Sequence, residues 1–129
     1  MGRYWTSAVA TFVWLVAVAA NGFAGDISGT YEVRGNNPDG SAYSGSAVIV
    51  MAPGKCRVDW KTGSSTSYGK CRLEGDTFTV DFVLQGGKGV VVYQVLRNGD
   101  MDGRWWMNGH ERHKGREKLL LRKLSSPSV

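Results

Sequence analysis

The chain has 129 residues and a formal net charge of +5, a length that holds one compact domain with a core of its own. Its basic residues are scattered except between Arg104 and Lys123. No nucleic-acid-binding motif accompanies them, so nucleic acid is not an expected partner and the basic tail reads as a solvated strand edge that resists aggregation.

The first element is a leader. Arg3 is the one charge before the unbroken apolar run Ala8–Ala20, and small residues follow at Gly22 and Ala24. That three-part order predicts a cleavable secretory signal peptide over 1–24, with Gly25 opening a single mature domain over 25–129. The run is shorter than the roughly 18 residues of a spanning helix, so no stable membrane span is expected. Met1-Gly2-Arg3-Tyr4-Trp5-Thr6 also fits the short myristoylation pattern, the rival reading of this end. Export predicts a secreted or periplasmic protein and makes a Cys56–Cys71 disulfide the natural state of the two cysteines.

Turn signals recur about every ten residues through the mature segment, with alternating stretches between them, the pattern of an all-β sandwich or barrel. Strands are expected near 26–34, 43–51, 55–62, 65–73, 77–84, 89–97, 101–108 and 115–122. A hairpin centred on Thr62-Gly63-Ser64-Ser65 puts Cys56 opposite Cys71. If all four residues form the loop, their Cα atoms approach to about 4.5 Å, at the near edge of disulfide reach. A turn at Gly75 sets Leu73 against Phe78 and Cys71 against Val80. A turn at Gly86-Gly87 sets Phe82 against Val91, Val80 against Tyr93 and Phe78 against Val95. The loop Arg97-Asn98-Gly99, with Gly99 left-handed, sets Val95 against Met101 and Val91 against Trp105. One apolar face results, shared by Tyr31, Val33, Tyr43, Ala47, Ile49, Val58, Trp60, Leu119 and Leu121. The economical fold is an eight-stranded antiparallel up-and-down β-barrel, whose closure removes both raw edges; a flattened β-sandwich is the alternative.

The opening Gly29-Thr30-Tyr31 ahead of an eight-strand meander resembles the avidin and lipocalin superfamily of barrels, with Tyr31 where those families usually have Trp. Asp102-Gly103-Arg104-Trp105 and Gly115-Arg116-Glu117-Lys118-Leu119 resemble small uncharacterised bacterial periplasmic proteins with an avidin-like barrel. The biotin-binding residues of avidins do not map one by one onto this sequence, so the resemblance implies the fold and not biotin.

In such a barrel the loops after odd-numbered strands share one end. Two of them are long, 35–42 and 109–114, and long loops on a rigid frame are where binding groups collect. The inward residues nearest that end are Val33, Tyr43, Trp60, Ser67, Phe82, Trp105, Met107 and Glu117. From these the expected ligand contacts are Tyr43, Trp60, Phe82, Trp105 and Met107, with Asn37, Asp39 and His110 from the loops. The competing reading is that the aromatics simply fill a narrow barrel.

Catalytic signatures are missing from the sequence. His110-Glu111-Arg112-His113 is one residue short of a zinc-binding His-Glu-x-x-His and falls in a loop. The Gly63–Lys70 stretch has the wrong spacing for a phosphate loop. Neither an enzyme nor a cofactor or metal is expected. Val90, Val92, Leu96, Trp106 and Leu120 point outward on neighbouring strands and suggest an apolar contact patch for a homo-oligomer or a protein partner. Two readings follow. One is a non-catalytic binder of a small apolar or amphipathic molecule at the loop-rich mouth. The other is a protein-binding module of the inhibitor or adhesin kind, using the long loops or the outer face of strands six to eight.

Overall fold

The computed structural model describes residues 26–125; the leader reading over 1–24 falls outside them. Eight strands form one closed antiparallel barrel in sequence order: β1 (Gly29–Asn36), β2 (Ala42–Ala52), β3 (Lys55–Thr62), β4 (Ser65–Glu74), β5 (Thr77–Leu84), β6 (Gly87–Val95), β7 (Met101–Met107) and β8 (Gly115–Leu124). Closure comes from β1 pairing with β8, where Val33 faces Leu119 and the register shifts at Thr30/Tyr31. The flattened sandwich is thereby set aside. No helix among the described residues is long and apolar enough to cross a membrane.

The turns explain the register. β3 and β4 are joined by only Gly63-Ser64, because Thr62 already pairs with Ser65. The four-residue loop was too long, yet the pairing is the same, and Cys56 and Cys71 are disulfide-bonded with Cα atoms 5.0 Å apart. The β6–β7 loop carries Gly99 at φ 94 and sets Val95 against Met101 and Val91 against Trp105, as expected.

The β5–β6 pairing differs. Phe78 faces Tyr93, Val80 faces Val91 and Phe82 faces Gly89, two residues away from the expected register. The chain turns at Gln85-Gly86, with φ of 50 and 80, the left-handed pair of a two-residue I′ hairpin. Gly86-Gly87 offered two glycines, but Gln85 takes one of the two left-handed positions itself. A slip of two keeps every side chain on its face, so the core is unaffected.

That core holds Tyr31, Val33, Ile49, Val58, Phe78, Val80, Tyr93 and Leu119, each at most 2 % exposed. The first strand begins later than expected, at Gly29, since Ile27 folds into the core ahead of it. At that end Tyr31 Oη donates to Ile27 O at 2.7 Å. Met51 N donates to Ser28 Oγ at 2.8 Å, and Ser125 N donates to Ser28 O at 2.9 Å. Burial, helped by Asp26 and Asp100, pushes the Tyr31 phenol up to about 12. The disulfide, Met51 and Leu73 pack against the same core. This end is tied shut.

A candidate ligand-binding mouth

At the opposite end the inward face carries larger and more polar side chains. One row of paired residues crosses five strands there: Tyr43 on β2 faces Gly35 on β1, which faces Glu117 on β8, which faces Gly103 on β7, which faces Tyr93 on β6. Both strand neighbours of Glu117 in this row are therefore glycines. A Cβ at Gly35 would stand 2.7 Å from Tyr43 Cε1, and one at Gly103 would stand 2.8 Å from Tyr93 Cε1. Each tyrosine lies across its glycine, the cross-strand aromatic cover that glycine kinks in barrels receive. Lying there, each ring delivers its hydroxyl to the carboxylate. Tyr43 Oη donates to Glu117 Oε1 at 2.7 Å, Tyr93 Oη donates to Oε2, and Trp60 Nε1 donates to Oε2 at 3.0 Å.

Glu117 is 7 % exposed. Its burial pushes the carboxyl above the usual glutamate range, and the hydrogen bonds from Tyr93, Tyr43 and Trp60 pull it part of the way back. The Tyr43 and Tyr93 phenols are raised, by burial first and by the Glu117 charge second. They stay neutral donors at ordinary pH. The ion pairs among the described residues involve other carboxylates, on exposed or half-exposed side chains. Among the described residues, Glu117 is held by neutral donors alone.

Above this row opens a cavity of about 240 Å³ lined by Tyr43, Trp60, Phe82, Trp105, Glu117 and Asn37 among others. Its aromatic rings stand at steep angles to one another. Tyr43 and Trp105 are 6.4 Å apart at 68°, Trp105 and Phe82 6.2 Å at 75°, and Phe82 and Trp60 6.0 Å at 71°. Phe82 and Trp105 also cover glycines: Cβ atoms at Gly89 and Gly115 would lie 3.0 Å from Phe82 Cε1 and 2.6 Å from Trp105 Cζ2. Trp105 Nε1 is buried without a hydrogen-bond partner among the described residues.

Five of the eight expected contacts, Asn37, Tyr43, Trp60, Phe82 and Trp105, line this one cavity. The other three do not. Met107 is half-buried and packs against the core beside Gly87. Asp39 is turned to its own loop, where Oδ1 accepts from Ser41 N at 2.9 Å and Ser41 Oγ at 2.7 Å. His110 is exposed in a turn whose backbone bonds Met107 and His113. Thr62, Ser65, Ser67, Leu84, Gln85 and Val91 complete the lining. Thr62, Ser65, Leu84 and Gln85 stand at the β3–β4 and β5–β6 turns, which share this end with the long loops.

The outward apolar residues fall into two groups rather than one patch. Val90 pairs with Trp106, whose ring lies under Lys114 Nζ at 4.9 Å, and Val92 is the next outward residue on β6. Leu96 and Leu120 lie toward the other end. The row Gln94, Asp102, Lys118 runs between the groups.

No protein-family model matches the chain, and no curated protein matches it. Solved structures similar to it include a redesigned β-barrel, with a TM-score of 0.63 and 16% identity over 75% of this chain and 92% of that one. A de novo designed fluorescence-activating β-barrel is similar at a TM-score of 0.57 and 14% identity, over 74% and 93%. The redesigned barrel mFAP0 bound to DFHBI is similar at a TM-score of 0.56 and 20% identity, over 74% and 98%. At these identities the likeness is one of fold: a closed antiparallel barrel.

Proposed function

We propose that this protein is a non-catalytic barrel that binds a small, largely apolar molecule bearing a polar group in the mouth lined by Tyr43, Trp60, Phe82 and Trp105. The observation that carries this reading is the cavity itself, walled by Tyr43, Trp60, Phe82, Trp105 and Glu117. A barrel filled by its own side chains leaves no such space, whereas an aromatic-lined opening with a few polar groups is how a small-ligand site is built. At about 240 Å³ the space sits just below the roughly 300 Å³ where ligand pockets begin, so a compact ligand of one or two rings suits it. Glu117, tied to three donors, serves as a fixed wall and not as a proton carrier. That mFAP0 is described as bound to DFHBI supports the capacity of such a frame to carry a small molecule.

Secretion fits this reading, since a Cys56–Cys71 bridge belongs in an oxidising compartment. Affiliation with the avidin and lipocalin superfamily rests on the Gly29-Thr30-Tyr31 opening and the barrel. A protein contact through the outer face has weaker support, because a polar row divides its apolar residues.

The test is titration of the protein, followed by tryptophan fluorescence, with a panel of compact aromatic and aliphatic compounds that includes DFHBI. Trp60 and Trp105 line the cavity, so saturable quenching by at least one compound is expected, weakened in Trp105→Ala. No saturable change with any compound at millimolar concentration refutes the reading.

A further inference from the structure

Among the described residues no cation answers the charge of Glu117. Carboxylates this deeply buried are ordinarily paired with Arg, Lys or a metal, yet only Tyr43, Tyr93 and Trp60 reach this one. The carboxylate also has room left. Oε2 accepts two hydrogen bonds and Oε1 only one, while an ionised carboxylate offers about four acceptor positions. The residue forms part of the cavity wall.

The rest of the wall has the matching chemistry. Four aromatic rings at 68°, 75° and 71° to their successive neighbours make a cornered box rather than a stack. Ring faces carry negative potential, and boxes of this kind hold ammonium groups. With a carboxylate at its base, such a box favours a cation over a neutral molecule and disfavours an anion.

Resting on the cavity reading above, we infer that the ligand is a small organic ammonium compound, its cationic nitrogen enclosed by Tyr43, Trp60, Phe82 and Trp105 against Glu117. The ligand supplies the counter-charge that the fold withholds.

Calorimetric titration of the wild-type protein with two matched pairs tests this. The pairs are choline with its carbon isostere, which replaces the nitrogen by carbon, and benzylammonium with benzyl alcohol. At least one cation should bind about tenfold or more tightly than its neutral counterpart, about 1.4 kcal/mol. In Glu117→Gln that preference should collapse. Equal or tighter binding of the neutral partners in wild-type protein overturns the ammonium inference and leaves the cavity reading standing. Binding of neither member of either pair, together with a silent fluorescence panel, overturns both. The wild-type comparison decides the matter even if Glu117→Gln fails to fold.

Discussion

Gly103→Ala is the sharpest probe of how the mouth is built. A methyl at this position would sit 2.8 Å from Tyr93 Cε1 and 3.2 Å from Cγ, and closer still to Cδ1, where ordinary contact begins at 3.4 Å. The ring must therefore withdraw by more than half an ångström. It has little room, being fully buried and stacked on Phe78 with centroids 5.9 Å apart. Overpacking of this kind costs about 1–3 kcal/mol. Withdrawal also pulls Tyr93 Oη from Glu117, and a hydrogen bond to a charged group contributes roughly 1.5–3 kcal/mol. Alanine restricts the unfolded chain, which offsets about 0.4–1 kcal/mol. The net expectation is a loss of about 3 kcal/mol, a fall in Tm of roughly 12–24 °C for a domain of this size. Gly40→Ala is the control: nothing lies within 4 Å of its Cβ, and only the φ of +92 is strained, at about 1–2 kcal/mol. Urea unfolding of both variants, with the disulfide intact and slopes compared, reads the difference directly. If Gly103→Ala costs no more than Gly40→Ala, the account of Tyr93 lying across Gly103 to reach Glu117 is wrong.

Gly35→Ala should behave alike through Tyr43, but more mildly, because Tyr43 is half-buried and has the cavity to move into; the same urea assay ranks the two. Replacing both Cys56 and Cys71 by Ala should lower stability by about 3 kcal/mol for a closure of this length, while far-UV circular dichroism at low temperature still reports the barrel. Trp105→Phe removes an unpartnered N–H and should change the stability of the free protein little, whereas Trp60→Phe removes a donor from Glu117 and should cost about 1.5–3 kcal/mol; equal losses in thermal melts would contradict this. Glu117 holds its proton more tightly folded than unfolded, so its own contribution to stability is fully present below the ordinary glutamate range and is lost as pH rises from there through the raised folded value. Glu117→Gln should flatten that slope, a difference that urea midpoints measured across pH will show.

The fold was legible because its turns are. Gly63, Gly75 and Gly99 stand where two- and three-residue hairpins require left-handed backbone, and each fixes which residues face each other beyond it. The one misplaced pairing, β5 with β6, arose where Gln85 took the left-handed position that a neighbouring glycine also offered. The error was two residues, which is invisible to an inside/outside pattern. Asp39 and His110 were drawn into the site by loop length alone. Nothing in sequence tells a loop that lines a mouth from one that caps itself, as Ser41 and Asp39 do.

Glu117 was harder to read, for a different reason. Alternation along Glu117, Leu119 and Leu121 does put it inside, but its partners lie 24, 57 and 74 residues away. Only the full register brings Gly35 and Gly103 to either side of it. Gly35 and Gly103 are thus the condition for the carboxylate: without them neither tyrosine crosses a strand to reach it. A barrel needing only to close would gain stability by filling that row with aliphatic side chains, since a buried carboxylate without a cation costs more than it returns. The chain instead ties its far end with a disulfide, Ile27 and the Ser28 bonds, and keeps at the mouth a charge, four rings and one unanswered donor. Stability concentrated at one end and unsatisfied chemistry at the other is the distribution expected of a frame that holds a ligand.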